Sequence, residues 1–538
     1  MFAIAGLFAS CNDAIDINQP GQVTDPAQIY RNSKDINRGV LGIYAILPGE
    51  SEVEFNSVFT DEVALGRANG GQGLISGEYG FFMQPGTGFA ISTWGNYYGV
   101  INRVNRLLNS IDALLVEIPS EAASLNKSKA ELLVLRAYAN YKLFAYYTPD
   151  YTNPSGLSIM KLDFLQTDDY SKVIGRSTVS EIKNFILSDL AEAENVTGEA
   201  FGANIYVTQG LIDGIRTKLY SMVGDYANVI TSAQAVLADP KNQIGTFTEF
   251  EQYFDDKEVS KEVIFQLQRV RGNASVADAW YSGSVRSTGQ PFYEMGRSLY
   301  NKFDKLDPTK TGEQVNVERN DIRYQVNLLT KSPNGETNIE STRWQGSKAA
   351  LNYETLPQAE YVDKDVLLIG KYKGKASQSL PLQNNIPILR SADIYLAMAE
   401  ARAAQGVISA TATTPAGIFT EGRNGGSVEA ILFFLKSNRV KDRTQISPVT
   451  ISNAQAAWKA ILDERQIEFA FEGHRYLDMK RLGDKAGSAG FERYSKDCIV
   501  NGACNLPALS YKLTLPIPST ELNSNSIIKG QQNPSYSN

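Results

Sequence analysis

Apolar residues recur at steps of three and four along several long stretches of the chain, which is the spacing of an amphipathic helix. The clearest stretch runs from about Lys129 to Tyr147, and Pro149 and Pro154 mark its end. Its repeating apolar positions are Leu132, Leu135, Ala139, Leu143 and Tyr146. The pattern predicts a long helix that buries one face.

The segment 208–237 predicts a helical hairpin, with a turn at Gly224-Asp225 and a stop at Pro240. Such a hairpin resembles a tetratricopeptide unit, in which small residues let two helices approach closely. Similar helices are predicted at 391–405 and 428–440. The chain therefore reads as a series of paired helices.

Two further helix starts are predicted from capping boxes, in which a side chain at the cap and one three residues later bond each other's backbone. One is Thr178 with Glu181, and the other is Ser452 with Gln455. Both precede apolar residues at helical spacing.

Between the helices lie stretches rich in glycine, asparagine and aromatic residues, chiefly 65–93, 271–299 and 321–372. Loops of that length are unusual in a compact domain unless they have a function. We predict a mainly α fold, in which a tetratricopeptide-like helical repeat scaffold carries a loop-rich, irregular half-layer with minor β structure.

Composition narrows the function classes. The 538 residues are 43% apolar and 10% aromatic, which is typical of a globular protein. The net charge is -7, and the sequence has no run of Lys or Arg that could track the phosphate backbone of a nucleic acid. We therefore expect no nucleic-acid partner. A single histidine, His474, excludes the imidazole clusters of most zinc sites. An enzyme of this composition would depend on carboxylates.

The first ten residues form an apolar run that stops at Cys11. The run is too short to cross a bilayer, and it fits the apolar and cleavage regions of a signal peptide, with Ala9 and Ser10 before the cut. Cys11 resembles the cysteine of a bacterial lipoprotein box, so we expect residues 1–10 to be removed and Cys11 to be acylated. No Lys or Arg precedes the run, and a disordered apolar tail is the alternative.

The other two cysteines, Cys498 and Cys504, lie six positions apart with Asn501 and Gly502 between them. They could close a small loop as a disulfide, which would contribute little to global stability because the loop is short. Two free thiols in a surface loop are the alternative.

Seven blocks of sequence, in order and over nearly the full length, resemble the SusD/RagB family. They are SKAELLVLRAYANYKLFAYYTP, VSEIKNFILSDLAEAE, GDYANVITSAQAVL, NDIRYQV, IPILRSADIYLAMAEARAAQG, ILDERQIEFAFEGHRYLDMKRLGD and LPIPSTELNSNSIIKGQQNPSY. The last two are the most specific.

The resemblance implies a scaffold of about four helix pairs, a lipid anchor on Cys11, and residence on the cell surface at the outer membrane. It implies capture of oligosaccharides or polysaccharides and their delivery to a SusC-like TonB-dependent transporter barrel, with no catalytic residues, cofactor or metal. We expect a signal-peptide remnant at 1–10 and one SusD-like domain at 11–538. Its parts would be a tether at 11–30, helices mainly at 30–240 and 388–482, a loop-rich ligand region at 241–387 and a C-terminal segment at 483–538.

Three carboxylates, Glu464, Glu468 and Glu472, fall on one helical face. They could hold a metal pair or act as acid and base, but nearby cations can neutralise them and the residue three before His474 is no glutamate. These cations are Arg465, Arg475, Lys480 and Arg481. We predict a structural role for the acids, and a core or capping role for His474.

Aromatic loops are the remaining candidates for recognition, because sugar C–H faces stack on flat rings while hydroxyls bond fixed polar groups. The candidates are Tyr79, Phe81 and Phe82 in the first loop, Asp278, Trp280, Tyr281 and Tyr293 in the second, and Arg343 and Trp344 in the third. We assign Trp94, Tyr97 and Tyr98 to the core. Binding of a non-sugar nutrient such as a peptide, or of proteins by a tetratricopeptide adaptor, are the alternative functions.

Overall fold

The amphipathic stretches fold into helices close to where their periodicity predicts them. The structure, a computed structural model, describes residues 29–72, 74–164, 173–197, 204–255, 261–270, 272–281, 291–304, 321–329, 347–350, 352–372, 374–375, 380–381 and 383–536. Cys11, Arg343 and Trp344 lie outside the described residues, so their assigned roles stay predictions.

The described residues up to Ala238 form seven α-helices. They are α1 (Ser33–Ile46), α2 (Glu50–Val58), α3 (Gly88–Glu117), α4 (Ala122–Tyr147), α5 (Val179–Thr197), α6 (Gln209–Val223) and α7 (Tyr226–Ala238). Helix α4 lies at the centre, because α1, α3, α5 and α6 all pack on it. From Leu132 to Tyr147 every residue except Lys142 is buried, as expected of a helix that is covered on all sides.

The predicted hairpin at 208–237 is confirmed as α6 and α7. Gly224 ends α6 with a φ of 77°, a left-handed conformation that glycine adopts without a Cβ penalty. Asp225 then caps α7, because its carboxylate accepts from the backbone N–H of Asn228. The capping box at Thr178 is also confirmed, since the Glu181 carboxylate accepts from the Thr178 backbone N–H at 2.8 Å.

Short helices and strands occupy the middle of the chain, where long loops were predicted. The helices are α8 (Phe247–Asp255), α9 (Ala277–Trp280), α10 (Arg297–Asp304), α11 (Ile322–Asn327) and α12 (Gln358–Lys364). The strands of the described residues are β1 (Val63–Leu65), β2 (Val263–Leu267), β3 (Tyr293–Met295), β4 (Gly374–Lys375), β5 (Leu380–Pro381), β6 (Ile386–Arg390), β7 (Gly490–Glu492) and β8 (Asn505–Pro507).

The strands form antiparallel pairs, β1 with β3, β2 with β6, β4 with β5 and β7 with β8. The β1–β3 pair aligns Ala64 with Glu294. It therefore brings the first aromatic loop region against the second, although about 230 residues separate them in the sequence.

The C-terminal part returns to helices. They are α13 (Ser391–Ala404), α14 (Pro415–Arg423), α15 (Val428–Arg439), α16 (Ala454–Glu468), α17 (Arg475–Leu482), α18 (Ser495–Cys498) and α19 (Ser519–Ser524). Helix α13 packs on α7, and α17 packs on α2, so the two ends of the chain share one core. Helix α14 was missed, although Thr414 caps it and Pro415 begins it.

The start of α16 corrects one prediction. Its cap is Asn453, whose side-chain oxygen accepts from the Ala456 backbone N–H at 2.9 Å, so the Ser452–Gln455 capping box is wrong. Asn caps a helix as well as Ser does. Because the cap lies one residue later than predicted, Gln455 does not stand three residues after it.

The mainly α fold is confirmed, and the tetratricopeptide-like repeat stays a prediction. No helix within the described ranges has both the length and the apolar character needed to cross a bilayer.

Candidate ligand-binding pocket

Most of the rings predicted to contact ligand are buried. Their exposed fractions are 0% for Tyr79, 4% for Phe81, 0% for Trp280, 1% for Tyr281 and 8% for Tyr293. Phe82 is half-buried, and Asp278 is exposed. Direct contact between the buried rings and a ligand stays a prediction, and for the most deeply buried ones it requires the side chain to leave its described position.

The surroundings of these rings explain their burial. The Tyr79 hydroxyl donates to the Asp497 carbonyl at 2.8 Å, and the Arg493 guanidinium lies 3.9 Å from the Tyr79 ring and 4.1 Å from the Phe81 ring. The Trp280 ring packs edge-on against Phe471 at 5.9 Å. These rings hold the C-terminal segment against the loops. Trp94, Tyr97 and Tyr98 are also buried, which confirms their assignment to the core.

A surface pocket lies where the first two aromatic loop regions meet, and we call it the Tyr293 pocket. Its volume is about 240 Å³. It is formed by α2, the single turn Glu78–Gly80, the first turns of α3 and strand β3. The lining residues are Ser51, Glu54, Phe55, Val58, Glu78, Gly88, Phe89, Ser92 and Tyr293.

The base of the Tyr293 pocket is aromatic. The Phe55 and Phe89 rings stack with centroids 3.8 Å apart and planes 5° apart. Both are nearly buried, at 2% and 6% exposure, and Val58 extends the apolar surface. The stack fixes α2 against α3 and gives the pocket a rigid floor.

The rim of the Tyr293 pocket is polar and acidic. Burial raises the pKa of Glu54, and the negative charge of Glu78 raises it further, although the Glu54 side chain is exposed at the mouth. On the same helix, Glu50 and Glu52 pair with Arg269 and Lys142. Among the described residues no such ion pair is made by Glu54 or Glu78. The rim therefore carries two carboxylates that no cation of the described residues compensates.

The sequence missed Glu54, Phe55, Glu78 and Phe89 as pocket residues. Glu78 lies beside the predicted Tyr79, and Tyr293 was itself predicted, so the pocket borders the predicted loops. Ligand binding there stays a prediction. The available signal was the run Glu50, Glu52 and Glu54, whose three acids exceed what local cations can pair.

The acids Glu464, Glu468 and Glu472 are structural, as predicted, but their partners are not the sequence-adjacent cations. Glu468 accepts from Arg390 at 2.9 Å and from Arg439 at 2.8 Å. The buried side chains of this cluster, which we call the arginine network, are Glu262, Asp321, Glu464, Glu468 and Glu472 with Arg323, Lys371, Arg390 and Arg439. Every member is buried. The half-buried Lys436 also pairs with Glu464.

The neighbouring cations point elsewhere because they leave the helix on other faces. Arg465 pairs with Asp393 and Asp478. The other pairs are Arg475 with Asp61 and Arg481 with Glu400, while Lys480 donates to the backbone carbonyls of Ala145 and Thr148. The prediction that these four neutralise the glutamates is wrong. Within the described part of the chain no group of three or more His, Cys, Asp and Glu residues is arranged to hold a metal ion.

His474 is a core residue. Its ring stacks on Phe469 at 4.3 Å, and burial lowers its pKa to about 4, so it is neutral at pH 7. It precedes α17 but makes no capping hydrogen bond. The interior cavity beside it, about 60 Å³, has room for water only.

Cys498 and Cys504 are bonded, with their Cα atoms 5.1 Å apart. This confirms the disulfide and excludes the free-thiol alternative. The bond closes the loop that follows α18.

Comparison with known proteins identifies the fold and the family. The sequence model of the SusD family matches residues 202–536, and a model described as "Starch-binding associating with outer membrane" matches residues 76–207. The chain is 22% identical over 556 residues to SusD-like protein P2 of Formosa agariphila, covering 98% of this chain and 97% of that protein.

Solved structures show the same architecture. A SusD superfamily protein from Bacteroides thetaiotaomicron superposes with a TM-score of 0.68 at 20% identity, covering 94% of this chain and 100% of that one. A SusD-like carbohydrate binding protein from Bacteroides vulgatus gives 0.62 at 16% identity, covering 92% and 97%. At these identities the structures support the fold, and the family match extends over well over half of the residues. The chain belongs to the SusD family.

Proposed function

We propose that this chain captures glycans at the outer-membrane surface and delivers them to a TonB-dependent transporter barrel, without cleaving them. The observation that carries the proposal is the Tyr293 pocket, with an aromatic base and two unpaired carboxylates at its rim. The family's starch-binding and outer-membrane description supports it.

The pocket chemistry matches a sugar. The lining atoms of Phe55, Val58 and Phe89 make the base of the pocket apolar, and the Tyr293 ring lines its side next to the space that sugar C–H groups would occupy. The carboxylates of Glu54 and Glu78 accept hydrogen bonds from sugar hydroxyls, and charged acceptors bind such donors more strongly than neutral ones. Ser51 and Ser92 add hydroxyls that donate or accept.

Attachment and delivery belong to the same proposal. We expect Cys11 to carry the lipid, as its lipoprotein-box sequence predicts, and the barrel partner to receive the captured glycan. A protein that is held at the membrane by lipid alone needs no membrane-spanning helix.

The absence of catalysis needs its own test, because a pair of carboxylates is also the machinery of glycoside hydrolases. Glu54 has a raised pKa, as the general acid of such a pair does. We propose that the pair binds without cleaving. Release of reducing sugar from a bound oligosaccharide by the wild type, and its loss in Glu54→Gln, would contradict this.

Binding is tested by calorimetric titration of the full chain with maltooligosaccharides and a panel of other oligosaccharides. We expect affinities of about micromolar to millimolar for at least one glycan. Glu78→Gln should lower the affinity for that glycan by about three- to tenfold, because a charged hydrogen-bond acceptor becomes neutral. The matched control is Glu521→Gln on α19, which does not line the Tyr293 pocket and should bind as the wild type does.

The outcomes separate the alternatives. Binding of peptides with no glycan bound would favour the non-sugar nutrient, and capture of several soluble proteins would favour the adaptor. If Glu78→Gln and Glu521→Gln weakened glycan affinity equally, the effect of Glu78→Gln would not be specific to the Tyr293 pocket, and the glycan would be assigned to another site.

A further inference from the structure

A second and larger surface pocket lies between α3 and the C-terminal helix α19, and we call it the Trp94 pocket. Its volume is about 420 Å³, within the range of about 300–1,000 Å³ typical of small-molecule sites. The Tyr293 pocket is smaller, and the two share no lining residue.

The walls of the Trp94 pocket are mostly apolar. The Trp94 ring packs on the Tyr98 ring with centroids 4.8 Å apart, and Met160, Leu162 and Ile174 complete the wall. The Tyr98 hydroxyl donates to the Met160 carbonyl at 3.1 Å and accepts from the Met160 backbone N–H at 2.8 Å. The hydroxyl is therefore used by the protein, and the ring contributes apolar surface.

One acidic side chain, Glu521, lines this apolar pocket. Its Oε2 accepts from the Trp94 indole N–H at 3.2 Å, and its Oε1 accepts from the Asn525 side-chain amide at 2.9 Å. The Asn525 amide also donates to the Ile174 carbonyl at 3.0 Å, which fixes it in turn. The carboxylate is held in place by neutral donors before any ligand arrives.

The charge of Glu521 has no cation partner among the described residues. Arg176, whose charge reaches the Tyr98 hydroxyl, donates instead to the carbonyls of Ser158 and Gln531. Each Glu521 oxygen accepts one hydrogen bond in the structure, and each has a further lone pair. A half-buried anion in an apolar pocket is the complement of a cation on an apolar body.

We propose that the Trp94 pocket binds small ligands in which a protonated amine is joined to an apolar body, with the ammonium on Glu521 and the body against Trp94 and Tyr98. The amine supplies N–H donors to the further lone pairs of the Glu521 carboxylate. It also supplies a positive charge, which none of the described lining residues carries. This site is independent of glycan capture in the Tyr293 pocket.

The test uses the full chain and three probes, phenethylamine, 2-phenylethanol and maltose, followed by calorimetry or ligand-observed NMR. Phenethylamine should bind saturably and at least about threefold more tightly than 2-phenylethanol, which has the same body without the charge. Glu521→Gln should remove this difference and leave 2-phenylethanol unchanged. The matched control, Glu78→Gln in the Tyr293 pocket, should leave all amine binding unchanged.

A second variant locates the ligand. Ser524 is exposed at the pocket rim, so Ser524→Trp fills the entrance without changing the core, and it should abolish phenethylamine binding. Equal affinity for phenethylamine and 2-phenylethanol in the wild type would overturn the proposal, as would maltose binding that Ser524→Trp alone removes. If Glu521→Gln lowers the melting temperature, the proposal is tested by the wild type alone, from its affinities for phenethylamine and 2-phenylethanol.

Discussion

The arginine network and the Tyr293 pocket show two ways in which this protein treats acidic side chains. In the network, Glu468 is fully buried and bonded by Arg323, Arg390 and Arg439. In the pocket, Glu54 lies at the surface, where the negative charge of another acid, Glu78, acts on it. Within the described part of the chain, the acid that is withdrawn from water has cationic partners, and the acid that faces water has none.

The pKa shifts follow this difference. Burial alone would raise the pKa of Glu468, but the positive charges of Arg439, Arg390 and Arg323 lower it well below its usual range. The pKa of Glu54 is raised by burial and then by Glu78. A compensated charge stabilises the fold, whereas an uncompensated charge is available to a ligand. Each prediction below breaks or sharpens this contrast.

The largest effect is expected from Glu468→Gln. Removing the negative charge leaves three buried guanidinium groups with too few acids, which should lower the free energy of unfolding by about 3–5 kcal/mol. Chemical denaturation followed by circular dichroism measures it. The control, Glu360→Gln, breaks an exposed pair with Lys364 and should change stability by less than about 1 kcal/mol. A loss in Glu468→Gln no larger than in the control would show that the network does not hold the core.

An intermediate effect is expected from Glu294→Gln, because Glu294 is buried and no cation of the described residues pairs with it. Burial raises its pKa to about 8, and the charges of Asp365 and Asp497 contribute, while the Leu367 backbone N–H opposes the shift. The folded protein keeps this proton up to about pH 8, whereas the unfolded chain releases it near pH 4.5. The contribution of Glu294 is therefore fully present below pH 4.5 and is lost as the pH rises to about 8.

The measurement is the free energy of unfolding of wild type and Glu294→Gln from pH 5 to about pH 8.5. The variant should decline less steeply with pH, and near pH 8.5 it should be more stable than the wild type by about 2 kcal/mol. Parallel pH curves for the two proteins would contradict the assignment.

The smallest effect on stability is expected from giving the pocket a cation. Ser92→Lys places an ammonium beside Glu54 and Glu78, which should raise stability by less than about 1 kcal/mol because the site is exposed. Glycan affinity should nevertheless fall, since the carboxylates become occupied. Ser92→Met, of similar length and no charge, separates bulk from charge. Equal losses of affinity in both variants would mean that the free charge is not what the ligand uses.

Local features of the fold were predictable because local spacing determines them. Helices α4, α6, α7, α13 and α15 appear within a few residues of the predicted bounds, except that α4 begins earlier, at Ala122. Their apolar periods and their Gly and Pro stops act over one or two turns. Helix α14 is only nine residues long, so its apolar period repeats too few times to be recognised.

The partners of charges were not predictable because they are set by packing. Glu468 is separated from Arg323 by 145 positions and from Arg390 by 78. Arg465, three residues before Glu468, leaves the helix toward Asp393 instead. Sequence proximity favoured the wrong pairs, since a neighbour on the chain need not share a face.

The loops that border the Tyr293 pocket were predicted from the sequence, whereas most of its lining residues were not. The aromatic loops around Tyr79 and Tyr293 were expected to matter, and the β1–β3 pair does bring them together. Which ring faces outward depends on contacts such as Arg493 over Tyr79, made by a residue more than 400 positions away. No periodicity in a loop encodes such a contact.

The link between Tyr79 and Asp497 has a consequence for how the molecule is made. The Tyr79 hydroxyl bonds the Asp497 carbonyl, and the Asp497 carboxylate accepts from the Arg297 backbone N–H and the Tyr361 hydroxyl. During synthesis the chain emerges from its N-terminus, so the wall that carries Glu78 lacks its support until the last tenth of the polypeptide arrives. Contacts of such sequence separation form slowly. A nascent or truncated chain should therefore assemble its helices before it can recognise any ligand.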